Sequence, residues 1–377
     1  MEYDTLKIIW WFFLSGLFAM FFILGGRDLG VFMLMPFISK TDDERRLIIN
    51  SIGSTWEGNQ VWFITAAGAT FAAWPMVYAT AFSGLYIALF LVLITFILKP
   101  PGIDYRSKIP KALWRTLWDW ALFLSAFVPT LILGVGLANL LLGLPFHFDE
   151  QLRSHYEGSF WQLLNPFSIL FGCAAICILS FHGGQYLQGK LPEEFTAKLK
   201  WVNTLLGLSF ITLFVLLGIW VIWGINGYKI QSLMPVNENL IPTLKQVIVV
   251  PQGWLNNYSQ LPWLWLLPVA TLLMVVIAMI SAIMNFAKTG VFFSALTLVA
   301  ALLTVNATLF PFILPSSTHP SHSLTLWDAT SSHKTLQYMF WVTVIFLPIV
   351  SAYTAWVFKV VSGKLNKQDV LNSVESY

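Results

Sequence analysis

The chain has 377 residues, of which 57% are apolar and only 10% are charged, and its formal net charge is +3. Soluble domains carry about 25% charged residues, so this composition excludes a water-soluble globular protein. The small net charge and the lack of a long basic run argue against nucleic acid as a partner. A mean hydropathy of +0.72, with 18 Trp and 31 Phe, predicts an all-α polytopic membrane protein in contact with lipid.

The apolar runs predict nine transmembrane helices in a single membrane domain over residues 1–377. A span needs about 20 apolar residues to cross the hydrocarbon core. Pro75 divides the long apolar run 61–98, because an interior proline removes a helical hydrogen bond. We expect two four-helix bundles plus one peripheral helix. The predicted spans are 8–27, 55–74, 77–98, 118–142, 163–185, 202–224, 262–285, 290–313 and 335–359.

Lys and Arg are distributed unevenly between the two sides of the predicted membrane domain. One side carries five of them and the other carries 15, which marks the second side as cytoplasmic. The N-terminus is then outside and the C-terminus is cytoplasmic. The 15 residues are Lys40, Arg45, Arg46, Lys99, Arg106, Lys108, Lys111, Arg115, Lys190, Lys198, Lys200, Lys288, Lys359, Lys364 and Lys367.

Ionisable residues in or beside the predicted spans are candidate functional residues, because a charge in the membrane costs about 2.5–3.5 kcal/mol. All of them are predicted on the cytoplasmic side. Asp28 either ends the first helix as a local pair with Arg27 or, if that helix continues through Phe37, lies deeper and needs a partner. Asp119 is expected to be an N-terminal acid favoured by the helix dipole. The candidates are Asp28, Glu57, Asp119 and His182.

Glu57 allows two interpretations. The pattern Ser54 to Glu57 fits a capping box, in which Ser54 and Glu57 each bond the other's backbone amide. Asn59 and Gln60 follow directly, however, and extend a polar strip one turn further into the membrane. A proton-entry path requires such a strip, because protons move along groups that exchange hydrogen bonds. Both interpretations remain open at this stage.

The histidines and cysteines argue against a haem or metal site on this chain. Haem iron and catalytic zinc need ligands held on helices, yet only His182 is near a span. Cys173 and Cys177 lie four residues apart in an apolar run, a spacing typical of helix packing. We therefore predict no haem ligand and no metal ligand. The remaining histidines fall in predicted outer loops: His147, His155, His319, His322 and His333.

Eight short motifs carry a resemblance to a known family. They occur in family order across essentially the whole chain, and together they are highly specific. On these residues the sequence resembles subunit II of the cytochrome bd-type quinol oxidases. The motifs are WEGNQVW at 56–62, FAAWP at 71–75, FSGLY at 82–86, GIDYRSK at 102–108, LWDW at 117–120, LNPF at 164–167, FPFILPSS at 310–317 and LTLWDATSS at 324–332.

The resemblance implies a respiratory terminal oxidase of the bacterial inner membrane. Such a complex oxidises quinol, reduces oxygen to water and builds a proton gradient without pumping. The resemblance implies two b-type haems and one d-type haem in subunit I, and no haem in this subunit. It further implies a heterodimer with subunit I, with small single-helix subunits and a structural quinone in some members.

The resemblance also suggests roles for particular residues. Glu57 matches the acid of a W-[DE]-G-N motif implicated in proton delivery, and Trp62 matches a tryptophan near the entrance of an oxygen route. Asp28 matches the second acid of a D-G-x-D-x-G pattern. Gly25 stands where the first acid is usual, and Arg27 stands where an aromatic residue is frequent.

Two other functions remain in competition. Intramembrane acids and Gly-interrupted helices also occur in secondary transporters. A purely structural assembly partner would tolerate the loss of Glu57.

Overall fold

The computed structural model describes residues 1–232 and 241–365. Within these ranges the chain is predominantly helical. Lys367 of the positive-charge count lies outside the described residues. The helices are α1 (Tyr3–Ile38), α2 (Asp42–Gly53), α3 (Trp56–Ala73), α4 (Pro75–Gly84), α5 (Tyr86–Ile97), α6 (Lys99–Tyr105), α7 (Ala112–Leu142), α8 (Phe160–Leu163), α9 (Pro166–Lys190), α10 (Thr196–Gly224), α11 (Asn256–Gln260), α12 (Leu266–Ile283), α13 (Ala287–Leu309) and α14 (His333–Val360).

Among the described residues, three antiparallel strand pairs accompany the helices, and all of them lie in connections on one side of the helical domain. We call this side the strand side and the opposite side, which carries α2 and α6, the α2 side. The paired strands are β1 (Phe146–Phe148) with β2 (Ser154–Tyr156), β3 (Asn226–Ser232) with β4 (Gln246–Pro251), and β5 (Phe312–Leu314) with β6 (Leu324–Thr325).

The number of spans agrees with the sequence prediction. Across the described residues, eight helical segments are long and apolar enough to cross a membrane, and α3 together with α4 is a ninth candidate, bent by 120°. The bend falls at Trp74, immediately before Pro75. Proline is well tolerated at the first position of a helix, where its missing N–H would have no helical partner. The helix breaks immediately before Pro75, as predicted, but the break lies within the bent α3–α4 pair, and the next candidate span begins at Tyr86.

The helices form two groups of four. Helices α1, α3, α5 and α7 pack as one bundle, and α9, α10, α12 and α13 pack as the other. The bundles meet where α9 contacts α1 and α7. Helix α14 lies at the periphery against α1 and α3, and none of its most apolar stretch is buried within the chain. The predicted arrangement of two bundles and one peripheral helix is confirmed.

Close packing of α1 on α9 depends on two glycines. A Cβ atom on Gly30 would lie 2.0 Å from the backbone oxygen of Leu179, and one on Gly183 would lie 2.5 Å from the carbonyl carbon of Gly30. Only a hydrogen atom fits at either position. Close approach of the two helices therefore requires glycine at both positions.

Three predicted helix boundaries are wrong. Helix α1 continues to Ile38 instead of ending at residue 27, because Arg27 and Asp28 pair inside the protein and do not have to reach the membrane surface. Helix α7 begins at Ala112, so Asp119 is not an N-terminal acid. The predicted span 77–98 is interrupted at Leu85, between α4 and α5.

Candidate functional site

A charged pair inside the first bundle is the centre of the candidate site. Asp28 is only 1% exposed, and Arg27 is 5% exposed. One oxygen of Asp28, Oδ1, accepts a hydrogen bond from Nε of Arg27 at 3.2 Å. The other, Oδ2, accepts one from Nδ2 of Asn59 at 2.7 Å. Asp28 therefore lies deep in the protein with partners, as the alternative with a continued first helix predicts.

Arg27 contacts three other helices or their ends. Its Nη2 atom donates to Oγ1 of Thr55 at 3.2 Å, just before α3. Its guanidinium carbon lies 4.4 Å from the ring centre of Tyr186 on α9 and 4.7 Å from that of Phe358 on α14. Aromatic faces attract a cation, especially where water is excluded. Arg27 thus links α1 to α3, α9 and the peripheral helix.

Lys99 adds a second buried cation near Asp28. It is 3% exposed at the start of α6, and its Nζ atom lies 5.2 Å from the ring centre of Phe96. It is close enough to interact electrostatically with Asp28. The cluster of Arg27, Asp28, Asn59 and Lys99 therefore combines two cations, one carboxylate and one amide, and we call it the buried charge cluster.

The predicted polar strip of α3 is divided between two faces. Asn59 points inward to Asp28, whereas Glu57 is exposed, and Gln60 is half-buried. Each helical residue turns by about 100°, so Gln60 lies between the other two around the helix. The strip is continuous around α3, but it does not run along a single face.

The predicted capping box of Ser54 and Glu57 is wrong. Thr55, not Ser54, precedes α3 and makes no side-chain cap, and Ser54 instead follows the end of α2. A capping box does occur nearby, formed by Thr41 and Glu44 at the start of α2. Helix α2 ends at Gly53 and Ser54 is its C-cap residue, so Ser54 cannot also be the N-cap residue of α3.

Trp62 lies one turn after Asn59 on the inward face of α3 and is 5% exposed. It is therefore a core residue of this chain. Two apolar cavities lie further along the bundles. The larger, of about 300 Å³, is bordered by residues of α1, α3, α4, α5 and α7, and Trp74 is among them.

Asp119 belongs to an ion-pair network on the α2 side. Nε of Arg106 lies 2.5 Å from Oδ1 of Asp119, and its Nη2 lies 2.8 Å from Oδ1 of Asp42. Arg45 and Arg115 each bond one of these acids. Arg106 is completely buried. The network links α2 to α7. Its two buried residues, Arg106 and Asp119, belong to the motifs GIDYRSK and LWDW, but the sequence did not show that they pair.

His182, the histidine near the end of a predicted span, is not available as a haem ligand in this fold. Both ring nitrogens of His182 are hydrogen-bonded, Nδ1 with Oγ of Ser294 at 2.7 Å and Nε2 with the backbone oxygen of Ile23 at 2.9 Å. Such a ring has no nitrogen left for an axial bond to iron. No step of the chemistry is therefore assigned to a haem on His182.

One potential metal-ligand group escaped the sequence analysis. On the strand side, His147, Glu157 and His319 have ligand atoms within 4.8 Å of one another. His147 and His319 are separated by almost half of the chain, so no motif could indicate their proximity.

The fold and the buried charge cluster define a multi-pass helical membrane protein that keeps paired charges inside its bundles. Its sequence matches the family described as "Cytochrome bd terminal oxidase subunit II" over residues 6–361. The chain belongs to this family. Membership makes it a subunit of an oxidoreductase complex, a terminal oxidase, with a partner oxidase subunit and with haem in the complex.

Individual relatives agree with this assignment. The chain is 43% identical over 375 residues to cytochrome bd-I ubiquinol oxidase subunit 2 of Escherichia coli strain K12, covering 100% of this chain and 99% of that protein. It is 26% identical over 369 residues to cytochrome bd ubiquinol oxidase subunit 2 of Bacillus subtilis, covering 97% and 98%. The alternative interpretation as a secondary transporter is not supported.

A solved structure agrees on the fold. A chain of the bd oxidase from Geobacillus thermodenitrificans superposes with a TM-score of 0.70 at 12% identity, over 94% of this chain and 98% of that one. At this identity the likeness concerns the fold alone.

Proposed function

We propose that this chain is the haem-free subunit of a respiratory quinol oxidase and supplies protons and oxygen to haems held by subunit I. The complex oxidises quinol, reduces oxygen to water and builds a proton gradient by taking up cytoplasmic protons without pumping. In this proposal subunit I holds two b-type haems and one d-type haem. Family membership and the ubiquinol oxidase names of the relatives support it.

The proposed location is the bacterial inner membrane, with the N-terminus outside and the C-terminus in the cytoplasm. The α2 side is then cytoplasmic. Support comes from the excess of Lys and Arg in the connections of that side, including Lys40, Arg106 and Lys190. Cysteine accessibility labelling from each side of sealed vesicles would test it, and labelling of a Ser54→Cys variant only from outside would contradict it.

The observation that carries the proton role is the hydrogen bond between Asp28 and Asn59 inside the membrane domain. Burial and the neighbouring cations act in opposite directions on a carboxyl proton, so such a group can both take up and release one. Gln60 lies around α3 between Asn59 and exposed Glu57. The proposed path therefore passes from the buried charge cluster around α3 to Glu57, with water joining the groups.

Glu57 is proposed to face the partner subunit. It lies on one face of α3 with three exposed apolar residues, Val61, Ile64 and Phe71. An apolar face needs lipid or protein cover, and a carboxylate on that face is costly in lipid. A partner subunit provides cover for the apolar residues and an acceptor for the proton of Glu57.

Replacement of Glu57 by Gln tests the proton role. The variant keeps the size and removes the exchangeable charge, so we expect oxygen consumption by the purified complex to fall by about tenfold or more with its haem content unchanged. Glu57→Asp should be milder. Asp104→Asn, which removes another exposed acid of the α2 side, is the matched control. Wild-type turnover in Glu57→Gln would contradict the proposal.

Trp62 is proposed to border the oxygen route. Its burial on the inward face of α3, one turn from Asn59, is compatible with a wall of an apolar passage. A smaller side chain there should change the apparent oxygen affinity more than the quinol affinity. Equal changes in steady-state measurements would indicate general packing damage instead.

A structural quinone is proposed for the larger apolar cavity. Trp74 borders it, and the Nε1–H group of Trp74 is buried without a hydrogen-bond partner. A quinone carbonyl would accept that hydrogen bond. Organic extraction should release less quinone from a Trp74→Phe complex than from wild type, and an equal yield would contradict this site.

Small single-helix subunits and lipid are proposed to cover α14. Its apolar residues are exposed along its length, among them Trp341, Phe346 and Trp356. Crosslinking from α14 to a small polypeptide of the purified complex would support this placement, and crosslinks to lipid alone would contradict it.

A further inference from the structure

Four histidines form a row on the strand side. The ring centres of His147 and His155 are 5.3 Å apart, those of His147 and His319 are 5.1 Å apart, and those of His319 and His322 are 5.2 Å apart. The first two belong to the β1–β2 hairpin and the last two to the segment between β5 and β6. The row therefore joins two connections that are distant in sequence.

Three ligand atoms converge in this row. Nδ1 of His147 lies 2.8 Å from Oε1 of Glu157, and the ligand atoms of these two residues and of His319 all lie within 4.8 Å of one another. Zn²⁺ binds nitrogen and oxygen ligands at about 2.0–2.2 Å, so tetrahedral ligands lie about 3.3 Å apart. The separation of 2.8 Å and the upper limit of 4.8 Å on the other two are compatible with that spacing after side-chain rotation.

Nδ1 of His147 has no satisfactory partner within the protein. The atom is inaccessible to solvent, and despite its short distance to Glu157 it makes no hydrogen bond of acceptable geometry. A buried polar atom without a partner is costly. A cation between the two groups would satisfy both the nitrogen lone pair and the carboxylate.

Backbone contacts hold the ligand residues in place without a metal. The amide of Glu157 donates to the carbonyl of Pro145 at 2.9 Å. Oγ of Ser316 donates to the carbonyl of Phe146 at 2.5 Å, and the amide of His319 donates to Oγ of Ser316 at 3.2 Å. These bonds connect the β1–β2 hairpin directly to the segment that carries His319. A preformed site of this kind needs little reorganisation to bind a metal.

We propose that His147, Glu157 and His319 bind a divalent transition-metal ion, of which Zn²⁺ fits best. Two imidazoles and one carboxylate are typical zinc ligands, whereas Ca²⁺ and Mg²⁺ take oxygen ligands. Glu157 and His319 are exposed, so a water molecule has access to the fourth coordination position. The site lies on the strand side, away from the buried charge cluster, and is independent of the proposed proton path.

The neighbouring histidines serve as supports for the ligands. The backbone amide of Phe148 donates to Nδ1 of His322 at 3.0 Å, which requires an unprotonated Nδ1. Burial, followed by the nearby imidazoles of His319 and His147, lowers the pKa of His322. His155 stacks on His147, and its Nε2 lies 3.1 Å from Oδ2 of Asp149. His155 therefore packs on the ring of His147, and His322 packs on the ring of His319.

Metal binding would bridge the α7–α9 connection and the α13–α14 connection. Any ion that binds the folded state and not the unfolded state stabilises the fold by mass action. We therefore expect Zn²⁺ to raise the unfolding temperature of the complex by stabilising the strand side.

The test uses the purified oxidase complex, stripped with a chelator and dialysed against defined free Zn²⁺, with bound zinc measured by elemental analysis. Wild type should bind one more zinc per complex than His147→Ala or His319→Ala. Each variant should weaken zinc binding at this site by about tenfold or more. His333→Ala is the matched control, since it removes an outer histidine beyond the row, and it should behave as wild type.

A second measurement distinguishes loss of the metal site from misfolding of a variant. Glu157→Gln keeps the size of the exposed side chain, and its unfolding temperature without metal should equal that of wild type. Added Zn²⁺ should then raise the unfolding temperature of wild type and leave that of Glu157→Gln unchanged. Equal zinc content and equal thermal shifts in wild type and all three ligand variants would overturn the proposal.

Discussion

The Arg27–Asp28 pair shows how a membrane protein keeps charge inside a bundle. The carboxylate has both oxygens hydrogen-bonded, and the guanidinium lies within 4.7 Å of the centres of two aromatic rings. Each partner lowers the cost of burying the other. The guanidinium of Arg27 packs on the rings of Tyr186 and Phe358.

Removal of one member of this pair should be worse than removal of both. Asp28→Leu leaves a buried arginine without its carboxylate, a loss of about 3–5 kcal/mol in comparable buried pairs. The double variant Arg27→Met with Asp28→Leu replaces the pair by apolar groups and should recover most of that loss. Thermal unfolding of the purified complex measures both. If the loss of stability in the double variant equals the sum of the losses in Arg27→Met and Asp28→Leu, the two charges are not coupled.

At the same scale, Glu57 shows what a motif can and cannot indicate. The motif WEGNQVW correctly marked a polar strip at the start of α3. It could not show which face each residue occupies, because the start of the helix depends on where α2 ends. The capping box failed for this reason. Whether Glu57 carries protons remains a prediction for its Gln variant to decide.

At the scale of elements, the contact between α1 and α9 brings the candidate site together. Gly30 and Gly183 allow the helices to approach, and the same approach places Tyr186 beside Arg27. Tyr186 lies one turn after Gly183 and donates from its hydroxyl to the carbonyl of Ser51 at 2.6 Å. Helix spacing and site geometry therefore depend on each other.

Gly30→Ala should separate these helices. Its Cβ atom would meet the backbone oxygen of Leu179, which cannot move without moving α9. Overpacking of this kind costs about 1–3 kcal/mol, and the unfolding temperature of the complex should fall. Gly16→Ala in the same helix is the matched control, because nothing lies within 4 Å of its added Cβ. Equal unfolding temperatures for both variants would show that the close approach is dispensable.

The helices with the most continuous apolar runs were the easiest to predict from sequence. Hydropathy was sufficient to count the spans, and Pro75 itself marked the break before α4. Hydropathy placed helix ends wrongly where charges are buried in pairs. Asp28 pairs with Arg27, so α1 continues past it, and Asp119 pairs with Arg106, so α7 begins before it. Side-chain pairing across helices is not visible in a single sequence.

At the scale of the whole molecule, the exposed surface indicates that the chain functions in a complex. Helix α14 is unburied along its apolar stretch, and α3 and α5 present further exposed apolar residues, such as Val61 and Phe90. Lipid covers part of this surface in any membrane protein. Family membership adds a partner oxidase subunit. The histidine row lies on the strand side, where the distant connections 144–158 and 315–323 meet only in the folded chain.

Purification of the complex in mild detergent, followed by a visible absorption spectrum, decides whether this chain is the haem-free subunit of a quinol oxidase. The chain should co-purify with a haem-bearing membrane subunit, and the spectrum should show a d-type haem band towards the red, with quinol-dependent oxygen consumption. Isolation of this chain as a haem-free, self-sufficient protein with no oxidase partner would contradict the proposed function.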